Sequence, residues 1–152
     1  MKIDLISITF DQILPIWNSF LWPNRVTTIT PTSSMKLDRT NDVSIHTKYK
    51  PYFCAAYVDG VIAGVNSCHQ TGDNEFRSRG IYVFPEFRHL GLSQRLFQFV
   101  EDKAFENKCS ILWSLPRLTA LSAYKKFGFK ECSEVINTGV EFGPNVYVRL
   151  EL

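Results

Sequence analysis

Residues 80–97 constrain the fold of this chain more than any other stretch of its sequence. A short apolar run rich in β-forming residues, residues 81–84, ends at Pro85, and a basic turn that contains Gly91 follows. Beyond this turn, apolar side chains recur at helical spacing, at Leu92, Leu96, Phe99, Val100 and Ala104. The pattern predicts a strand, a loop and a helix that begins near Gly91 and ends near Asn107.

The start of the predicted helix is a candidate binding place for an anion. The first backbone N–H groups of a helix have no partner within the helix and carry a partial positive charge. Gly91 lacks a Cβ atom, so a ligand can approach the backbone closely there. Taken alone, this stretch leaves two interpretations open, a phosphate-binding loop or an ordinary turn between a strand and a helix.

The residues before this stretch predict a strand, a helix and a hairpin. Residues 3–9 alternate loosely between apolar and polar, as in a strand, and Asp11 is the predicted cap of a helix with an apolar stripe. Asp59-Gly60 separates two apolar runs and is a strong signal for a tight hairpin. Residues 24–50 show little periodicity and are either an ordered surface loop with one short helix or a wall of the substrate groove.

The residues around and after the predicted helix complete a mixed sheet. Residues 76–84 and 110–114 are predicted strands on either side of the helix, which makes this unit βαβ and the two strands parallel. Gly80, inside the first of these strands, predicts a bulge or a close backbone approach. The remaining predicted elements are a short helix and two strands, residues 120–127, 129–135 and 145–150.

Composition and charge exclude several classes of protein. The 17 basic and 15 acidic residues give a net charge of +2, which is too balanced for a nucleic-acid-binding or membrane-surface protein. No apolar run is long enough to span a bilayer, and the N-terminus lacks the pattern of a signal peptide, so we expect a cytoplasmic protein. We expect no metal site, and buried free thiols rather than disulfides at the four cysteines, Cys54, Cys68, Cys109 and Cys132.

Two ordered motifs resemble those of a known family. Arg88-His89-Leu90-Gly91-Leu92-Ser93 is similar to the Gln/Arg-x-x-Gly-x-Gly/Ala signature of the GNAT superfamily of acyl-CoA-dependent N-acyltransferases, although Ser93 stands where that family prefers Gly or Ala. Later in the chain, Ala120-Leu121-Ser122-Ala123-Tyr124-Lys125-Lys126-Phe127-Gly128-Phe129 is similar to the family's A-x-x-x-Y-x-x-x-G-F. Together with the order of predicted elements, the resemblance runs from Ile3 to Leu150.

The resemblance implies a fold. We expect one N-acetyltransferase domain over residues 1–152, with an α/β fold built on a central mixed sheet of about six to seven strands flanked by helices. Most neighbouring strands are expected to be antiparallel. One parallel pair, the fourth and fifth strands, is expected within the sheet.

The same resemblance implies that acetyl-CoA is the co-substrate. Backbone groups of Ile81 and Val83 are then expected to pair with the pantetheine arm and the thioester. The N–H groups of one loop are expected to hold the pyrophosphate, namely those of Arg88, His89, Leu90, Gly91, Leu92 and Ser93. Arg117 stands where the family often has an asparagine that contacts the pantetheine, so Arg117 is expected either to reach a CoA phosphate or to lie in solvent.

Acetyl transfer to an amine requires a base for the amine and an acid for the thiolate. Tyr124 is the predicted general acid, because a phenol keeps its proton at neutral pH and the resemblance implies that this tyrosine faces the sulfur. Family members often use a glutamate near the fourth strand as the base, but residues 77–83 contain no carboxylate. His69 and Glu75, at the adjoining strand ends, are the candidate substitutes.

Together these expectations predict an N-acetyltransferase that moves an acetyl group from acetyl-CoA to a primary amine by direct attack in a ternary complex. The acceptor is a small-molecule amine or a peptide amine; an acidic groove would favour polycationic acceptors, and an open groove a polypeptide. The missing carboxylate keeps one alternative open, a non-catalytic acyl-CoA-binding or interaction module. Exposed aromatic side chains such as Trp22 and Phe142 are candidates for a homodimer surface.

Overall fold

The structure, a computed structural model, describes residues 1–152 and contains one mixed sheet. Its seven strands are β1 (Ile3–Ile8), β2 (Tyr52–Val58), β3 (Val61–Gln70), β4 (Glu75–Val83), β5 (Ile111–Ser114), β6 (Lys130–Glu131) and β7 (Val148–Glu151). The spatial order is β1-β2-β3-β4-β5-β7-β6, in which β4 and β5 are parallel and every other neighbouring pair is antiparallel. The predicted fold class is therefore confirmed.

Four α-helices flank the sheet: α1 (Phe10–Ile16), α2 (Ile45–Lys48), α3 (Leu92–Glu106) and α4 (Leu121–Phe127). The residues Trp17–Leu21 continue α1 as a wider, π-helical turn. The prediction that Asp11 caps α1 is wrong, because Thr9 and Gln12 form a capping box in which each side chain accepts a hydrogen bond from the other residue's backbone N–H. Asp11 lies in the first turn, where its charge still favours the helix dipole.

Two local predictions are confirmed by the backbone geometry. Asp59 and Gly60 join β2 to β3 with φ angles of +48° and +82°, and two consecutive positive φ angles are what a tight hairpin turn requires. The long helix α3 begins after Gly91 and ends before Asn107, at the predicted bounds. The predicted C-terminal strands are shorter in the structure, since β6 and β7 contain only two and four residues.

Gly80 lies at a β-bulge that exchanges the two faces of β4. The pairing between β3 and β4 shifts its register at this point, and the φ angle of Gly80 is +81°. Before the bulge, Phe76 packs in the core beneath α3, whereas Arg79 lies over Trp17 on the α1 side. After the bulge, Ile81 packs towards α3 and Tyr82 towards α1. The predicted bulge is confirmed, and it decides which side chains of β4 face which helix.

The segment of residues 24–50 is an ordered covering with one short helix, α2. Two arginines of β4 hold it against the sheet: Arg79 Nη1 donates a hydrogen bond to the Thr30 carbonyl at 2.8 Å, and Arg77 Nη1 donates one to Ser33 Oγ at 3.1 Å. Two buried arginine side chains of β4 therefore anchor residues 24–50 to the sheet.

The cysteines carry no disulfide. Cys54, Cys68 and Cys109 are buried free thiols, as predicted, and Cys132 is a free thiol on the surface, so its predicted burial is wrong. None of the helices combines the length and the apolar character needed to cross a membrane.

Candidate active site

The sheet opens between β4 and β5. The two strands pair only where residues 75–77 of β4 lie against residues 111–113 of β5, although β4 continues to Val83. Ser114, the last residue of β5, adds a final link by donating a hydrogen bond from Oγ to the Ser78 carbonyl at 2.7 Å. Beyond this point the edge of β4 that faces β5 has no strand partner, so its backbone groups are available to a ligand except the Val83 carbonyl, which already accepts a hydrogen bond from Arg88.

A cavity of about 450 Å³ lies in this opening, a volume typical of small-molecule sites. Part of its wall comes from the α3 side of the sheet and includes Ile81, Val83, Ser93, Ala123 and Tyr124. Another part comes from the α1 side and includes Phe20, Leu21, Trp22, Arg77 and Arg79. Because both faces of the sheet contribute to one cavity, two ligands approaching from opposite faces can meet in it.

The loop before α3 leaves a helix start without a side-chain cap. Gly91 is the N-cap residue with a φ angle of +73°, and no acidic side chain lies in the first turn. A Cβ atom on Gly91 would meet no atom within 4 Å, so the approach to this turn is open. Arg88 donates a hydrogen bond from Nε to the Val83 carbonyl at 3.0 Å and, like Ser93, lines the cavity.

The other predicted loop residues do not line the cavity with their side chains. His89, at a φ angle of +77°, and Gly91 are exposed. Leu90 is half-buried, and Leu92 is buried in the apolar core. Any contact of Leu90 or Leu92 with a ligand therefore depends on the backbone N–H groups.

The sequence between residues 16 and 129 matches the acetyltransferase (GNAT) family. This chain belongs to that family. Membership supports acyl transfer as its general activity. No curated protein sequence matches the chain.

Solved structures of acetyltransferases resemble this chain. Nourseothricin acetyltransferase is 24% identical over 66% of this chain and 65% of its own, less than two thirds of its length, with a TM-score of 0.59. Arabidopsis thaliana Naa50, in complex with the bisubstrate analogue CoA-Ac-MVNAL, is 16% identical over 100% of both chains, with a TM-score of 0.68. The ribosomal-protein-S18-alanine N-acetyltransferase from Escherichia coli is 15% identical over 99% of this chain and 94% of its own, with a TM-score of 0.66. At these identities the likeness shows a shared GNAT fold.

The tyrosine of the second GNAT motif lies in the cavity wall. Tyr124 is 3% exposed and packs against Phe97 and Phe129, with ring centroids 4.7 and 5.4 Å away. Its hydroxyl lies 3.4 Å from Ser114 Oγ, whose own proton is donated to the Ser78 carbonyl. Burial raises the pKa of Tyr124 above its usual value, so the phenol is protonated at neutral pH.

His69, the first candidate base, does not line the cavity. It is fully buried, its Nε2 accepts a hydrogen bond from the Ser33 backbone N–H at 3.2 Å, and its Nδ1 lies 3.0 Å from the Gln70 carbonyl. Burial lowers the pKa of His69 to about 3. The ring is therefore neutral and serves the packing of residues 24–50.

Glu75, the second candidate base, is at the far end of β4 from the loop before α3. Its carboxylate accepts hydrogen bonds from the Leu37 backbone N–H at 3.0 Å and from Thr71 Oγ1 at 2.7 Å. Eight residue steps separate it from Val83, which at 3.3 Å per step is roughly 26 Å. Glu75 does not line the cavity.

Two buried arginines of the cavity wall were missed by the sequence reasoning. Arg77 and Arg79 are 8% and 4% exposed, and neither lies within salt-bridge distance of an acidic side chain. Burial lowers their pKa values to about 10 and about 9, so both are charged at neutral pH. The available signal was two arginines at alternate positions of a strand with otherwise buried neighbours, where charged residues are rare.

The charged side chains of the cavity wall are all basic. Four arginines and no Asp, Glu or His line the cavity: Arg77, Arg79, Arg88 and Arg117. Arg117 donates a hydrogen bond from Nη2 to the Leu21 carbonyl, and its guanidinium lies 5.0 Å from the centre of the Phe142 ring. Trp22 and Phe142 are half-buried parts of this wall rather than exposed surface aromatics. No group of three or more His, Cys, Asp or Glu side chains is arranged to hold a metal ion.

Proposed function

We propose that this GNAT protein is an acetyl-CoA-dependent N-acetyltransferase that transfers an acetyl group to a primary amine by direct attack within a ternary complex. The observation that carries the proposal is the cavity through the sheet, which has Tyr124 in its wall and the residues flanking the start of α3, Arg88 and Ser93, at its edge. Family membership supports acyl transfer in general, and the acyl donor and the acceptor belong to the proposal.

The α3 side of the cavity fits acetyl-CoA. The unpaired edge of β4 at Ile81 and Val83 offers backbone groups to the amides of a pantetheine arm. The open turn at Gly91 suits a pyrophosphate, because its N–H groups are uncapped and no acidic side chain repels the charge, and Arg88 adds a cation nearby. When bound, acetyl-CoA supplies the activated acetyl group and a thiolate leaving group.

In this proposal Tyr124 supplies the proton that the thiolate needs. The reaction joins the acceptor nitrogen to the acetyl carbon and breaks the C–S bond, so one proton must leave the nitrogen and one must reach the sulfur. Tyr124 holds its proton at neutral pH because burial raises its pKa, and the nearby Arg77 cation opposes that shift. The same cation stabilises the phenolate once the proton has been transferred, until solvent returns a proton to Tyr124.

The proton of the amine leaves to solvent in this proposal, because no Asp, Glu or His lines the cavity. The four guanidinium groups of the wall oppose the binding of a second cation, so they lower the pKa of a bound amine and favour its neutral, nucleophilic form. The basic wall also disfavours the polycationic acceptors that an acidic groove would have selected.

A non-catalytic acyl-CoA-binding module is the second candidate function. The observation that favours it is the same lack of a side-chain base in the cavity. Such a module would bind acetyl-CoA at the start of α3 and release no CoA when an amine is added. Binding and turnover must therefore be measured separately.

A thermal melt with and without acetyl-CoA tests the cofactor. Ligand at about 100 times Kd stabilises the folded state by ~2.7 kcal/mol, which raises the Tm of a chain of this length by roughly 5–10 °C. An unchanged Tm at millimolar acetyl-CoA would contradict both the enzyme and the binding module.

Release of CoA with a panel of amines then separates the two candidates. We expect turnover, and we expect Tyr124→Phe to lower kcat by about 10²- to 10⁴-fold with the acetyl-CoA shift in Tm retained. Tyr147→Phe is the matched control, because Tyr147 is also buried but does not line the cavity. Full turnover by Tyr124→Phe would remove Tyr124 from the mechanism, and binding without turnover in the unmodified protein would establish the module.

A further inference from the structure

Two buried side-chain polar atoms of this protein have no hydrogen-bond partner, and both belong to residues that line the same cavity. They are Nε of Arg77, which is a donor, and Oδ1 of Asn145, which is an acceptor. Buried polar groups are nearly always paired, because an unpaired one has lost its hydration without compensation. Because both residues line one cavity, a ligand bound there is the candidate partner for each atom once the groups that cover the two atoms move aside.

The two buried arginines of the cavity wall, Arg77 and Arg79, are positively charged and have no counter-ion. The hydrogen bonds of Arg77 and Arg79 described above go to a hydroxyl and to a backbone carbonyl, which are neutral acceptors. The guanidinium groups lie over indole rings, Arg77 at 4.9 Å from the centre of the Trp113 ring and Arg79 at 5.2 Å from that of Trp17. These contacts stabilise the cations without neutralising them. Carboxylates and phosphates are the groups whose oxygens match a guanidinium fork.

The orientation of the Asn145 side chain is fixed by its hydrogen bonds. Asn145 Nδ2 donates a hydrogen bond to the Leu115 carbonyl at 3.1 Å, which only the N–H end of the amide can do, so Oδ1 is the end without a partner. Two backbone hydrogen bonds with Ile136, of 2.7 and 3.0 Å, hold Asn145 in place. An N–H group of an amine is a suitable partner for this oxygen.

We infer that the acceptor is a small amine that also carries an oxyanion, a carboxylate or a phosphate, which Arg77 and Arg79 bind while Asn145 Oδ1 accepts a hydrogen bond from the amine. The inference rests on the proposed function and names the substrate class of the same cavity. The bonds formed and broken are those of the acetyl transfer described above.

The position and size of the cavity agree with this class of acceptor. The charge of Arg77 is close enough to Tyr124 to lower the pKa of its phenol, opposing the effect of burial. An anion bound at Arg77 therefore keeps the attached amine close to the proposed acid. A volume of about 450 Å³, shared with the acetyl end of the donor, suits a molecule of amino-acid size. A carboxylate also leaves a net positive charge on the pair of arginines, which continues to favour the neutral amine, whereas a phosphate monoester carries about −1.5 to −2 at pH 7 and offsets most of the charge of the pair.

Matched acceptors test the inference through the rate of CoA release at saturating acetyl-CoA. One pair is 4-aminobutyrate and 4-aminobutanamide, and the other is O-phosphoethanolamine and ethanolamine. The oxyanion-bearing member of at least one pair should have a kcat/KM higher by on the order of 10- to 100-fold, as expected for hydrogen bonds to a charged group. The pair that shows the preference identifies the oxyanion. Equal rates within both pairs, or faster reaction of both neutral members, would overturn the inference and leave the acetyltransferase proposal intact.

Substitution of the cavity arginines tests whether they cause the preference for oxyanion-bearing amines. Arg79→Met keeps a long apolar stem and removes the charge, and it should reduce the ratio of kcat/KM between the two members of a pair towards one. Arg149→Met, an arginine outside the cavity, is the control and should leave that ratio unchanged. If Arg79→Met does not fold, Arg77→Met and Arg79→Lys are measured in the same way, and an unchanged ratio in every folded variant would refute the site.

Binding of the four amines can also be measured without acetyl-CoA. Melts of the whole protein with each of the four amines alone should show a larger rise in Tm for an oxyanion-bearing amine, and Arg79→Met should abolish the difference. Equal shifts for all four amines would refute the oxyanion site, whatever the outcome with acetyl-CoA.

Discussion

Gly80→Ala is expected to destabilise the fold because two separate features of this position require glycine. The φ angle of +81° is one that residues with a Cβ atom rarely adopt. A Cβ atom built on Gly80 would also lie 2.5 Å from atoms of the Trp17 indole ring. Trp17 cannot move aside easily, because it is fully buried and its Nε1 donates a hydrogen bond to the Gly80 carbonyl at 2.8 Å.

The size of the effect follows from adding these two terms. The left-handed backbone conformation costs an alanine about 1–2 kcal/mol. Forcing an additional methyl group into a packed core costs typically about 1–3 kcal/mol more. The unfolding free energy should therefore fall by about 2–5 kcal/mol, a large share of the roughly 5–15 kcal/mol that stabilises a typical domain.

Gly60→Ala separates the two terms. Gly60 has nearly the same φ angle, +82°, but its Cβ atom would meet nothing within 4 Å. Urea unfolding of the wild type and both variants should show a loss of about 1–2 kcal/mol for Gly60→Ala and a clearly larger loss for Gly80→Ala. Equal losses for the two variants would refute the contact with Trp17 as a determinant of the bulge.

Two further predictions concern pH. Because no side-chain base lines the cavity, log kcat/KM should rise with pH along the titration of the free acceptor amine and shift when an acceptor of different pKa is used. A rising limb near pH 6–7 shared by all acceptors would instead reveal a protein base. For His69, burial lowers the folded-state pKa to about 3 from the usual 6.5, so between these values the unfolded chain binds more protons. Its contribution to stability is therefore complete above about pH 6.5 and falls as the pH drops, by up to roughly 1.4 kcal/mol per unit. In His69→Gln this part of the slope between pH 6.5 and 4 should disappear from the unfolding free energy, and identical slopes in the two proteins would contradict the burial of a neutral ring.

The features that depend on neighbours along the chain were predictable. The unit of strand, turn and helix over residues 80–97, the hairpin at Asp59-Gly60 and the bounds of α3 all follow from the spacing of apolar residues and from the conformational freedom of glycine. These are properties of a few consecutive residues. The parallel pairing of β4 with β5 was predictable as well, because a helix between two strands leaves only one common way to connect them.

The site was less predictable because its chemistry lies between elements that are distant in the chain. The candidate bases His69 and Glu75 were chosen for their residue type near strand ends, but the direction and length of β4 place Glu75 roughly 26 Å from Val83. Arg77 and Asn145 gave no joint signal, since nothing in the sequence shows that they face one cavity. The sequence likewise did not show that Trp22, after α1, and Phe142, before β7, line the same cavity instead of lying on the surface.

By itself, the sequence determined the order of the elements, their bounds within a few residues and the GNAT motifs, because local periodicity and turn chemistry are encoded in adjacent residues. Only the tertiary structure decided that β4 and β5 diverge after Arg77, that the bulge at Gly80 exchanges the faces of β4, and that buried cations without counter-ions line the resulting cavity. Burial, charge compensation and hydrogen-bond partners are properties of the space between elements, and that space exists only once the sheet has formed.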